Sequence, residues 1–152
     1  MKTIETFSPD DTYHLGQRFG EKAKEGQIYC LEGDLGVGKT IFTKGFAKGL
    51  QIYEHVNSPT FTIVQEYNDG RIPFYHFDAY RISYIEEMED IGYEEYFYGE
   101  GVCLIEWGNL IDEIIPKEAI WIIIEKDLQK GFDYRKIAIT TQEDNNENFS
   151  DR

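Results

Sequence analysis

The chain has 152 residues, 41% hydrophobic and 15% aromatic, with 29 acidic side chains against 15 basic ones and a formal net charge of −14. That length and apolar content suit one globular domain with a real core. The charge excludes nucleic-acid binding over most of the surface, so any work on RNA or DNA would pass through a partner protein.

In chain order, the first six residues carry no apolar signal core. Ser8-Pro9-Asp10-Asp11 reads as a helix start, with the helix over 11–24. A short apolar strand over 27–31 and a helix over 39–50 flank a glycine-rich loop. A strand over 61–67, the turn signal Asn68-Asp69-Gly70 and a returning strand over 72–77 make a hairpin. The acidic, aromatic stretch 86–98 is helical in pieces. Val102-Cys103-Leu104-Ile105 is a continuous apolar run of the buried, parallel-sheet kind. A short helix near 109–114 ends before Pro116. Late strands over 120–125 and 134–140 are joined by a polar turn over 127–133. The apolar run 119–124 is far shorter than the about 20 residues of a membrane-spanning helix. The expected fold is α/β: one P-loop-type domain over 1–140, with a central, mostly parallel sheet, an antiparallel hairpin and helices on both faces. The acidic tail 141–152 is expected to be disordered.

The loop between strand and helix is the most specific feature. Gly33-Asp34-Leu35-Gly36-Val37-Gly38-Lys39-Thr40 spells G-x-x-x-x-G-K-T. Its glycines let backbone N–H groups converge on phosphates at a helix N-terminus. Lys39 reaches the β/γ oxygens, and Thr40 offers a hydroxyl to Mg²⁺. A dinucleotide fingerprint fits poorly, because Lys39 and Thr40 stand where that motif has no charge and no closing glycine or alanine.

Three further segments carry chemistry. Glu106 ends a buried strand, where P-loop sites need an acid for the Mg²⁺ shell; its length also suits it to polarising an attacking water. Trp107 fits plain packing and the edge of the site equally. Asp78, in Tyr75-His76-Phe77-Asp78-Ala79-Tyr80-Arg81, is a second acid for metal-bound or attacking water. His76 lies on the same strand face, as an orienting group or as a structural histidine. Arg81 reads as a salt-bridge partner of one of the many acids. Ser58, Pro59 and Thr60 form a stiffened hydroxyl-bearing loop downstream of the P-loop helix, where nucleotide-sensing loops occur. Cys30 and Cys103 read as buried, unpaired thiols, suited to a reducing cytoplasm.

These segments, in this order and spacing over about residues 5 to 140, resemble the TsaE family. The family pattern usually has alanine at position 37 and threonine at 41, where this chain has Val37 and Ile41. The resemblance implies a cytoplasmic P-loop ATPase that binds ATP and Mg²⁺ and turns over slowly alone. It implies assembly with a TsaD–TsaB pair that threonylcarbamoylates the adenosine beside the anticodon in tRNAs reading codons that start with A. ATP hydrolysis would reset that complex, and tRNA would be met only through the partners. Residues 35–40 would cradle the phosphates, Thr40 and Glu106 would hold Mg²⁺, and Asp78 with the 58–60 loop would position water. The base would lie between Asp11 and the late hairpin, with Arg135 stacking on adenine, meeting a phosphate or standing as a plain surface residue.

Two readings from other classes compete. A small-molecule kinase usually needs several arginines to clamp two phosphorylated substrates, and this chain has five scattered ones. A non-catalytic regulatory subunit would bind nucleotide without needing the acids at 78 and 106. A GTPase switch is disfavoured, because neither N-K-x-D nor a D-x-x-G after the P-loop is present.

Overall fold

A computed structural model describes residues 1–57, 59 and 62–141. Seven strands form one sheet in the order β1-β7-β6-β2-β5-β4-β3. They are β1 (Lys2–Thr6), β2 (Ile28–Glu32), β3 (Val64–Tyr67), β4 (Phe74–Asp78), β5 (Val102–Glu106), β6 (Ile120–Lys126) and β7 (Arg135–Thr140). The central pairs β6–β2, β2–β5 and β5–β4 are parallel. The outer pairs β1–β7, β6–β7 and β3–β4 are antiparallel. The expected α/β domain, parallel at its centre and flanked by helices, is therefore present.

Helices α1 (Pro9–Lys22) and α2 (Lys39–Gly49) cover one face. Short helices α3 (Glu86–Asp90) and α4 (Tyr93–Phe97) and a 3₁₀ segment (Gly108–Ile114) cover the other. Phe42, Phe46 and Leu50 recur every fourth residue and are fully buried. Each such side chain contributes roughly 1.5–3 kcal/mol of apolar burial, which anchors α2 to the sheet. Ser8 caps α1 by accepting the Asp11 N–H at 3.1 Å, with Pro9 in the first turn. At the far end the Arg71 guanidinium donates to the carbonyls of Gly20, Glu21 and Ala23, satisfying the last turn.

The two long helices meet through glycine. Cβ atoms built on Gly16 and Gly20 would collide with the carbonyls of Phe42 and Phe46 in α2. Cβ atoms on Gly45 and Gly49 would collide with the carbonyls of Tyr13 and Gln17 in α1. Each helix thus presents a glycine pair four residues apart, and the backbones touch directly.

The structure departs from the sequence reading in several places. β1 is an edge strand that no pattern announced. The strand expected over 61–67 begins at Val64, Thr62 and Ile63 forming a bend. The expected short helix is a 3₁₀ segment broken at Ile111. Helix α1 begins at Pro9, two residues before the expected start, because Ser8 is the cap. The expected tail lies outside the described residues except for Thr141.

Candidate functional site

The glycine loop follows the C-terminal end of β2, between its parallel neighbours β5 and β6. That is where parallel α/β sheets present ligand crevices. Gly36 and Gly38 take φ values of 79° and 112°, left-handed backbone that other residues resist. Gly38 caps α2, so Lys39 and Thr40 occupy its first turn. Val37 is buried in the core, where its Cγ1 would lie 2.7 Å from a Cβ on Gly33. Asp34, Leu35 and Gly36 are exposed at the rim. Beside the loop a cleft of about 690 Å³ opens between Gly33, Asp34 and Leu35 on one side and Ile123, Glu125 and Lys126 of β6 on the other.

Strand register brings the two acids together. Asp78 at the end of β4 pairs with Glu106 at the end of β5, and Glu106 pairs with Leu31, two residues before the glycine loop. Glu106 is only 5% exposed. Its Oε2 lies 2.9 Å from Nε2 of His76, itself 1% exposed. With Glu106 as a carboxylate, which only accepts, the contact takes His76 in its Nε2–H tautomer. The His76 ring stacks on Phe74 with centroids 6.0 Å apart. His76 therefore contacts Glu106. Asp78 is half-buried, and its Oδ1 accepts the Tyr80 N–H at 3.0 Å.

Lys39 is buried, and its ammonium lies 4.4 Å from the centroid of the Trp107 ring, a cation–π contact. Trp107 has φ 62° and packs against Tyr80 with centroids 5.0 Å apart. Trp107 thus touches the P-loop lysine.

Arg135 and Asp11, both expected at the nucleotide, hold backbone groups of this chain. The Arg135 Nε donates to the Val37 carbonyl at 2.7 Å, and Nη1 donates to the carbonyls of Phe132 and Tyr134. Its guanidinium thus ties β7 to the glycine loop. Oδ2 of Asp11 accepts the Phe7 N–H at 3.0 Å, so this carboxylate holds the turn into α1. Pro59 is half-buried. Ser58 and Thr60 lie outside the described residues.

Sequence reasoning missed Glu32, Asn109 and Thr12. Thr12 Cγ2 would lie 3.8 Å from a Cβ on Gly38, and Thr12 Oγ1 bonds Thr6 Oγ1 at 2.9 Å. Glu32 stands one residue before Gly33, and that adjacency was the available signal. Burial pushes the Glu32 carboxyl up, opposed by the Asn109 N–H and by the Lys39 charge.

Mg²⁺ binds hard oxygens, keeps several waters and is held by one or two protein groups plus phosphate. The exposed Thr40 and the His76-anchored Glu106 are donors of that type. Among the described residues no three His, Cys, Asp or Glu side chains converge as a metal cage. Cys30 and Cys103 are buried unpaired thiols whose pKa values burial raises. No helix among the described residues is long and apolar enough to cross a membrane.

The family model for threonylcarbamoyl adenosine biosynthesis protein TsaE matches residues 6–137. The chain belongs to the TsaE family. A relative from Bacillus subtilis (strain 168), named tRNA threonylcarbamoyladenosine biosynthesis protein TsaE, is 51% identical over 135 residues, covering 89% of this chain and 82% of its own length. A TsaE protein of the same name from Haemophilus influenzae is 37% identical over 134 residues, covering 82% of this chain and 84% of its own. The crystal structure of Bacillus subtilis YdiB superposes with a TM-score of 0.76 at 43% identity, covering 92% of this chain and 84% of that one. The matched span, residues 6–137, contains every site residue named above.

Proposed function

We propose that this TsaE-family chain is a Mg²⁺-dependent ATPase. It assembles with TsaD and TsaB, supports threonylcarbamoylation of the adenosine beside the anticodon of tRNA, and hydrolyses ATP to reset that complex. The observation that carries the proposal is the convergence of the glycine loop with Asp78 and Glu106 at adjacent parallel strand ends. Bound Mg²⁺ would supply charge neutralisation on the phosphates, with Thr40 and Glu106 as its protein side. Backbone N–H groups over 35–40 bind the phosphates, and Lys39 leaves the Trp107 face to meet the β/γ oxygens. Glu106, fixed by His76, and Asp78, fixed by the Tyr80 N–H, orient the attacking water. Ser58, Pro59 and Thr60 sense the γ-phosphate. Arg135 acts on the nucleotide by shaping the loop through the Val37 carbonyl. The −14 charge agrees with tRNA being held by the partners, in the cytoplasm.

The test is ATP turnover and complex mass for the chain alone and with TsaD and TsaB, in ATP and then in ADP. Slow turnover alone, acceleration by the pair and nucleotide-dependent assembly are expected. Fast turnover alone, or no association in either nucleotide, would refute the proposal and favour a small-molecule kinase.

A further inference from the structure

We infer that Glu32 is a positioning residue. Its carboxylate clamps the turn after β5, and so holds Trp107 and the end of Glu106's strand against the P-loop lysine. Glu32 ends β2 one residue before the glycine loop and faces the side of the sheet opposite to Leu31. Its Oε1 accepts the Asn109 N–H at 3.0 Å across 77 residues of sequence. With its amide nitrogen turned toward Glu32, the Asn109 side chain donates to both carboxylate oxygens, at 3.2 and 3.0 Å. One carboxylate therefore takes a backbone and a side-chain donor from the same residue, an acceptor geometry that only Asp or Glu offers in full.

The clamped turn is confined on its other sides too. A Cβ on Gly108 would lie 3.2 Å from Cys30 Sγ and 3.5 Å from the Trp121 ring, so the turn lies flat on β2 and β6. Trp107 reverses the chain with φ 62°, a conformation that non-glycine residues disfavour and that persists only where the surroundings impose it. The clamp at Asn109 supplies that imposition two residues downstream. Trp107 in turn receives Lys39 at 4.4 Å. The path thus runs from the residue before the P-loop to Asn109 by hydrogen bond, along the backbone through Gly108 to Trp107, and by the cation–π contact back to the P-loop lysine. Glu32 couples the two strand ends that must stay in register for the loop and Glu106 to act on one nucleotide. The inference rests on the ATP-site reading above for its kinetic arm alone.

The experiment uses the full chain with Trp121→Phe, leaving Trp107 as the sole indole of the two present. Acrylamide quenching of Trp107 and steady-state ATP kinetics are measured for Glu32→Ala, Glu32→Gln and Asn109→Ala, with thermal melts of each. Expected for Glu32→Ala are quenching raised about twofold as the turn opens and kcat lowered about 10- to 100-fold with KM changed less than about twofold, the mark of lost positioning. Glu32→Gln keeps the acceptor for the Asn109 N–H and falls between wild type and alanine. Asn109→Ala removes the side-chain half of the clamp from the far side and raises quenching in a fold left intact at β2. Wild-type quenching in both Glu32→Ala and Asn109→Ala would overturn the clamp. So would a kcat loss with Trp107 undisturbed. If the parent chain shows no turnover with or without partners, the ATPase reading fails, and quenching alone decides the clamp.

Discussion

Replacing His76 tests whether Glu106 depends on its histidine. The Nε2–Oε2 contact is 2.9 Å, between groups that are 1% and 5% exposed. His76→Phe keeps a ring against Phe74, leaves no cavity, and deletes one donor to a buried carboxylate. A hydrogen bond to a charged group contributes about 1.5–3 kcal/mol. A domain near this size shifts by about 2–4 °C per kcal/mol. A loss of about 2 kcal/mol therefore lowers the melting temperature by about 4–8 °C. His76→Gln places an amide nitrogen near the position of Nε2 and recovers part of that loss. Turnover should follow the same order, with kcat falling and KM for ATP nearly constant, because the histidine acts through Glu106. The assays are differential scanning calorimetry and ATP hydrolysis across the three proteins. A His76→Phe protein that melts and turns over like wild type would refute the reasoning, because Glu106 would then be held by other contacts.

Lys39→Ala should weaken ATP binding, while Thr40→Ala should weaken it mainly when Mg²⁺ is present; calorimetric titration with and without the metal separates the two. Asp78→Ala and Glu106→Ala should each retain ATP but lower hydrolysis by about 10²-fold, and the double variant should fall short of the product of the two effects; wild-type turnover in both single variants would make these acids structural. Arg135→Gln should weaken nucleotide affinity about tenfold, or 1.4 kcal/mol, by releasing the Val37 carbonyl, and unchanged binding would remove Arg135 from the loop's support. The Tyr134 hydroxyl, 2.6 Å from Glu5, holds the Glu5 carboxyl below its ordinary pKa, with Lys130 assisting. The stability from that bond is present above the ordinary carboxylate value and is lost as pH falls through the lowered folded value. Tyr134→Phe should return the NMR titration of Glu5 toward its ordinary value.

Much of the site was legible because it is written in local chemistry. Gly33 to Thr40, Asp78 and Glu106 sit at strand ends whose apolar runs are short and continuous, and the sheet register brings them side by side. What was illegible depends on distant partners. β1 has only Ile4 as an apolar residue, since an edge strand buries little. Gly16, Gly20, Gly45 and Gly49 read singly as weak points in helices; only their opposition makes them a contact surface. For Arg135 the resemblance left adenine, phosphate and plain surface open, and its three carbonyl partners, one of them in the glycine loop, could not be read from its own position. Glu32 was hidden as the last residue of a strand, because its partner lies 77 residues away.

The glycine contact between α1 and α2 has a mechanical consequence. Side chains between two helices act as a cushion that can shift rotamers and let one helix roll on the other. Here the carbonyls of Tyr13, Gln17, Phe42 and Phe46 bear directly on the opposing glycines, and close-packed backbone yields very little. The first turn of α2, which carries Lys39 and Thr40, is therefore bolted to α1 and serves as a fixed anvil. Any give around that turn has to come from neighbouring elements that are packed through side chains.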